Sequence, residues 1–112
     1  MEKDLFGVCP YVTAQKLLAG KWTLLIMHHL SIKTLRFCEL QRELPNLTQA
    51  TLAKQLRMME GNGLIVRKVY NQVPPKVEYS LSGLGRDFKP VLDALEVWGT
   101  KYIGFLKAKT RG

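Results

Sequence analysis

Cysteine is scarce in this chain. Cys9 and Cys38 are too few for a disulfide framework, and a core drawn from 112 residues, 46% of them hydrophobic, needs none. A reducing compartment suits both thiols. Long apolar runs are also missing: stretches such as Leu24 to Met27 fall far short of a bilayer span, and no charged, apolar, small-residue signal peptide opens the chain. A cytoplasmic protein with no membrane partner is expected. No nucleophile paired with a positioned base occurs, nor a metal-ligand cluster or phosphate loop, which argues against an enzyme, a metal site or a bound cofactor. His28 and His29 are adjacent, so on a helix they point about 100° apart and cannot chelate one metal as an i, i+4 pair does. Gly61 and Gly63 neither follow a strand nor open a helix, as nucleotide-binding glycine motifs require, and are read as a helix cap. With no repeat, low-complexity tract or linker, residues 1–112 are expected to form one domain.

Acidic residues are missing where they matter most. The formal net charge is +8, and from Lys33 to Val77 eight basic residues stand against Glu39, Glu43 and Glu60, with no carboxylate between Glu43 and Glu60. A helix exposed only for solubility mixes charge signs, whereas one that approaches phosphates cannot carry Asp or Glu without repulsion. A basic surface also attracts anionic membranes in principle, so charge alone does not choose nucleic acid.

The pattern along the chain does. Tyr11 to Ala19, after Cys9-Pro10, suits a first helix, because proline lacks only an N–H that a helix start does not use. A second helix from about Lys21 to Leu30 is expected to turn Trp22, Leu25, Ile26 and Leu30 inward, with Ser31 to Thr34 a loop and Thr34 to Arg36 a short strand. Phe37, Leu40 and Leu44 give a brief amphipathic helix that stops at Pro45. Thr48 can cap the next helix, in which Leu52, Leu56 and Met59 form the buried stripe while Gln49, Ala50, Ala53, Lys54 and Arg57 fall opposite, and the Gly61 to Gly63 run ends it. Leu64 to Val69 and Lys76 to Leu81 read as a hairpin around the turn Asn71 to Pro75. Ser82 is expected to cap one long helix through Leu106, which Pro90 either bends or deprives of one hydrogen bond, with Lys107 to Gly112 frayed. The fold class is therefore α+β, a winged helix-turn-helix: the helix-turn-helix over about 37–61 and the wing over about 64–81. Added to it are an N-terminal helix and a C-terminal helix over about 82–106.

These residues resemble the HxlR-type family of bacterial winged helix-turn-helix regulators from Cys9 to about Tyr102. The matching pieces are Cys9-Pro10, Gly20-Lys21-Trp22, Arg36-Phe37 with Glu39-Leu40, Leu56-Arg57 before Gly63-Leu64, and Pro74-Pro75-Lys76-Val77-Glu78-Tyr79 with Leu81 and Gly85. The resemblance implies a transcriptional repressor that binds a pseudo-palindromic operator in double-stranded DNA as a homodimer. Its first and last helices would pair across the two-fold axis, its recognition helices enter successive major grooves and its wings touch flanking backbone. Many relatives carry Arg or Lys where this chain has Ala50, beside the matching Gln49, so base readout here is expected from Gln49, Thr51 and Lys54.

The expected DNA-binding set is Arg36, Thr48, Gln49, Ala50, Thr51, Lys54, Arg57, Lys68 and Lys76, with Arg67 a further basic residue of the wing. For an arbitrary basic protein such residues are a solvated face; their place on a helix-turn-helix and hairpin reverses that reading. Arg36 has two readings, a phosphate ligand or a partner of Glu39 in the same turn. Leu5, Tyr11, Leu95, Trp98, Tyr102 and Phe105 are the expected dimer seam, because the last helix carries more apolar surface than one small core covers. A ligand cavity lined by Trp98 and Tyr102 is the weaker reading of that stripe. Cys38 reads as a small, partly buried apolar residue. Cys9, at a helix start where the dipole favours a thiolate, is a candidate sensor of an oxidant or small-molecule effector, as in several relatives. The alternative to a sequence-specific regulator is a nonspecific architectural DNA binder.

Overall fold

The computed structural model describes residues 4–111; residues 1–3 and 112 of the expected domain lie outside them. Two helices, α1 (Pro10–Leu18) and α2 (Thr23–Ile32), lead into a two-residue strand β1 (Leu35–Arg36). Next come α3 (Phe37–Glu43), α4 (Gln49–Gly61) and the hairpin β2 (Ile65–Tyr70) and β3 (Lys76–Leu81). The chain finishes with α5 (Gly83–Asp87) and α6 (Lys89–Arg111). The three strands form one antiparallel sheet in the order β1-β3-β2, with Leu35 opposite Tyr79 and Arg67 also opposite Tyr79. This is the winged helix-turn-helix arrangement, with α3 and α4 as its helix pair.

The core lies between α2, α3, α4 and the inner face of the sheet. Ile26, Met27, Leu40, Leu52, Leu56 and Met59 are all but fully buried, joined by Leu35, Leu44, Leu47, Leu64, Ile65, Tyr79 and Leu81. The α4 stripe is the expected one. In α2 the buried positions are Thr23, Ile26, Met27 and Leu30, whereas Leu25, expected inside, is 40% exposed, and Ser31 and Ile32 are helical. The reason is that α2 is apolar almost all round, so its pattern does not fix which face turns inward.

The expected single C-terminal helix is two. Ser82 caps only α5, its hydroxyl accepting from Gly85 N–H at 2.9 Å, and the chain turns at Phe88, whose N–H donates to Gly85 C=O at 3.1 Å. Pro90 does not bend a continuous helix. A helix running through it would bring its ring against the carbonyl of Arg86, so the break falls upstream and Pro90 takes the second position of α6, where no N–H is required. From there α6 stays helical to Arg111, past the fraying expected from Lys107. None of its residues is buried. The radius of gyration, 16.6 Å, exceeds the roughly 13 Å of a compact chain of this length because this helix projects from the body. Among the described residues no helix is long and apolar enough to cross a membrane.

Candidate nucleic-acid interface

The turn between α3 and α4 is held from inside. Leu44 and Leu47 are buried, Leu47 N–H donates to Leu44 C=O at 3.0 Å, and the Gln41 side-chain amide donates to Leu47 C=O. Thr48 then caps α4, its hydroxyl accepting from Thr51 N–H at 3.1 Å and donating to the Thr51 hydroxyl at 2.9 Å. With Leu52, Leu56 and Met59 fixed in the core, the opposite side of α4 must face outward. Gln49, Ala50, Thr51, Lys54 and Arg57 are all exposed there, and no acidic residue sits in the first turn. The unpaired N–H groups of that turn add positive potential to the same end. At the far end Gly63 adopts φ +78°, so the chain leaves α4 through a left-handed residue that only glycine takes without strain.

Arg36 caps α3 by its backbone: its N–H donates to the Glu39 carboxylate at 2.7 Å, half of a capping box. Glu39 is thereby used on the main chain, and the Arg36 guanidinium has no ion-pair partner among the described residues. Of the two readings of Arg36, the side-chain pair with Glu39 is the one not formed. Arg36 instead lies opposite Glu78 in the β1/β3 ladder.

Strand alternation divides the basic residues of the wing. Arg67 lies opposite Tyr79, which is buried, so both belong to the inner face; Lys68 lies opposite Glu78 on the outer face. On that outer face the Lys68 and Lys76 ammonium groups stand 4.8 Å and 4.7 Å from the centre of the Tyr70 ring, within cation–π range. Lys76 also pairs with Glu78 at 3.5 Å. The Glu78 carboxyl is held below its ordinary range chiefly by the Tyr70 side chain, against the opposing effect of burial, with Lys76 and the charge of Arg36 adding to the lowering. Arg36, Lys68 and Lys76, chosen separately from the sequence, thus gather round one carboxylate that sequence reading left out. The signal was present in the i, i+2 spacing of Lys76 and Glu78 on one strand face.

On the inner side a cleft of about 300 Å³ opens between α4 and β2, lined by Ala53, Arg57, Glu60, Arg67 and Tyr79. Its two arginines have no ion-pair partner among the described residues. Lys54 is not among its lining residues.

The expected seam residues are all open in the protomer: Leu5 ahead of α1, Tyr11 in its first turn, and Leu95, Trp98, Tyr102 and Phe105 along α6. Trp98 and Tyr102 stack with centroids 5.5 Å apart, and Phe105 follows at 5.4 Å from Tyr102. A groove of about 590 Å³ does lie between α2 and the start of α6, but Trp98 and Tyr102 do not line it. Cys9 is half-buried at the N-cap of α1, its N–H donating to Leu5 C=O at 2.8 Å. Cys38, expected to be partly buried, is exposed, because α3 buries Leu40 and turns its second residue to solvent. Among the described residues no group of His, Cys, Asp or Glu is placed to hold a metal.

Comparison with known proteins agrees with this geometry. Residues 17–106 match the model of the HxlR-like helix-turn-helix family. YtcD of Bacillus subtilis (strain 168), an HTH-type transcriptional regulator, is 46% identical over 103 residues, covering 92% of this chain and 81% of that protein. The redox regulator HypR in its reduced form superposes with a TM-score of 0.84 at 37% identity, covering 89% of this chain and 99% of HypR. The reduced form of the transcriptional regulator YodB from B. subtilis superposes at 0.75 with 31% identity, covering 85% and 94%.

Proposed function

This chain belongs to the HxlR-like helix-turn-helix family of DNA-binding transcriptional regulators, and on that premise we propose that it is a repressor that binds a pseudo-palindromic operator as a homodimer, all of residues 1–112 acting as one unit. The observation that carries this reading is the capped end of α4: Gln49, Ala50, Thr51 and Lys54 exposed around a helix N-terminus free of carboxylates. Gln49 and Lys54 reach for base edges, and the Thr51 hydroxyl, already accepting from Thr48, has its own proton left to donate. Ala50 has only a methyl group to offer, which suits contact with a thymine methyl. Thr48, Arg36, Arg57, Lys68 and Lys76 serve the phosphates.

The test begins with DNA fragments selected from a random pool by the purified protein. They should share two inverted half-sites whose centres lie about one helical turn, roughly 10 bp, apart or a multiple of it. Gln49→Ala should then flatten the preference among variants of that site, since a good base contact is worth about 1–3 kcal/mol of discrimination. Lys68→Ala and Lys76→Ala should weaken all duplexes alike. Selected fragments with no common motif would point to the architectural binder instead.

A second reading concerns regulation. Cys9 sits where α1 starts, beside Leu5 and Tyr11 of the expected seam, and the likeness to HypR and YodB supports a thiol-based response there. Modification at that point would alter the spacing of the two recognition helices.

A further inference from the structure

Ala53, Arg57 and Glu60 recur along α4 at four and three residues and form a stripe beside the buried one, facing β2. Across from them Arg67 projects from the inner face of β2, and Tyr79, 8% exposed, forms the wall. The small side chain of Ala53 leaves the space open. Two guanidinium groups on different elements therefore border one cleft of about 300 Å³, neither of them in an ion pair among the described residues. Glu60, in the last turn of α4, opposes an anion here, but the two guanidinium groups leave the lining with a net single positive charge.

The position of this cleft matters as much as its charge. A helix in a major groove and a hairpin at the neighbouring minor groove must straddle the sugar-phosphate strand that separates the two grooves. Docked in that way, the space between α4 and β2 would face that strand. Guanidinium groups suit it, because their planar forks bind phosphate oxygens in pairs, where an ammonium offers a point charge.

We propose that the cleft between α4 and β2 is a binding site for one backbone phosphodiester, gripped jointly by Arg57 from the recognition helix and Arg67 from the wing. The phosphate ties the two elements together, so the wing and the recognition helix dock on DNA as one rigid unit. Arg67 shares this phosphate with Arg57, and Lys68, its neighbour in sequence, faces away from it. The inference rests on the DNA-binding reading above and adds that one phosphate is shared.

Sharing has a measurable signature. Binding of the selected duplex and of an unrelated duplex of equal length is followed by fluorescence anisotropy across a salt series, for the wild type, Arg57→Gln, Arg67→Gln and the double variant. Each single change is present in both subunits, so it should cost at least roughly tenfold in affinity for both duplexes and reduce the salt slope by about 1.8, or 0.9 for each half-site. The double variant should reduce the slope by that same amount, because only one phosphate per half-site is lost. A slope reduced twice as far means two separate phosphates and overturns the shared site. Unchanged affinity in both single variants, with wild-type binding intact, removes the cleft from the interface while leaving the regulator reading in place. A wild type that binds neither duplex at low salt ends both. Arg67→Lys, which keeps the charge and loses the fork, should lose affinity with little change in slope. Should the glutamine variants prove unfolded by circular dichroism, neutral methylphosphonate linkages scanned through the selected duplex test the wild type itself. One linkage per half-site, between the bases read by α4 and the flank touched by the wing, should be sensitive; indifference along that stretch overturns the proposal.

Discussion

Lys76 and Glu78 lie on one face of β3 with their charged ends 3.5 Å apart, and the Tyr70 side chain also favours the Glu78 carboxylate. Because these contacts favour the carboxylate, Glu78 titrates below its ordinary value of 4.5. The stability they contribute is fully present above that value and is lost as pH falls through the lowered one. Glu78→Gln should therefore make the protein easier to unfold at pH 7, and the gap to wild type should shrink below pH 4.5 as the wild-type carboxyl protonates. Urea titrations stepped from pH 7 downward measure this. A gap of constant size across the whole range would mean that the substitution acts through packing and not through charge.

Gly85 is buried at the start of α5, and a Cβ there would lie 2.2 Å from the Leu64 carbonyl oxygen. That carbonyl already accepts from Ser82 N–H at 3.1 Å, and the Ser82 hydroxyl donates to Gly63 C=O at 2.5 Å. The closest obstruction, the Leu64 carbonyl, is backbone, so no rotamer change relieves it. Gly85→Ala should destabilise by about 1–3 kcal/mol through overpacking. Gly83→Ala, which meets nothing within 4 Å, is the control. Chemical denaturation of the two variants should separate them clearly; equal midpoints would show that α5 can lift away from β2 freely.

Why some of this was legible in the sequence and some was not follows from particular residues. α4 could be read because Leu52, Leu56 and Met59 alternate with polar residues at helical spacing and because Thr48 and Gly63 mark its ends chemically. α2 could not be phased, since Leu24, Leu25, Ile26 and Met27 are equally apolar and only packing decides that Leu25 stays out. The break at Phe88 is displaced from its cause, Pro90, because proline disturbs the turn before it. Arg67 and Lys68 look alike in sequence, and only the pairing of Arg67 with buried Tyr79 sends one to the α4 cleft and the other to Tyr70 and Glu78. Cys38 follows Phe37 but points to solvent, which spacing on so short a helix does not fix.

The apolar side of α6 should hold a dimer. Leu95, Trp98, Tyr102 and Phe105 recur at three, four and three residues, and all are between 38% and 63% exposed on a helix that the protomer does not bury. A 23-residue helix is about 35 Å long, enough for several turns of contact with a second copy. Such a stripe left in water is the kind of patch that marks an interface. Truncation after Val97 removes Trp98, Tyr102 and Phe105 and should leave a monomer in analytical ultracentrifugation at micromolar concentration. The double change Trp98→Ser with Tyr102→Ser keeps the helix and should weaken association in the same direction. A dimer of unchanged affinity in both would place the seam elsewhere.

Cys9 should be the thiol through which oxidants reach DNA binding. It is half-buried at the start of α1, and its side chain makes no capping hydrogen bond. α6 contains no cysteine, which rules out an internal bridge from α1 to that helix. The remaining products are a Cys9 to Cys9 disulfide between subunits, a mixed disulfide with a small thiol, and an alkylated cysteine. Exposed Cys38 confuses any bulk measurement, so the comparison belongs in a Cys38→Ser background, with and without Cys9→Ser. Diamide takes two electrons from a pair of thiolates, and a quinone adds directly to one; mass spectrometry identifies which product forms at Cys9. Operator affinity should fall on treatment when Cys9 is present and hold when it is serine. Full modification of Cys9 with no change in operator affinity would falsify the sensor reading and leave the DNA-binding assignment untouched.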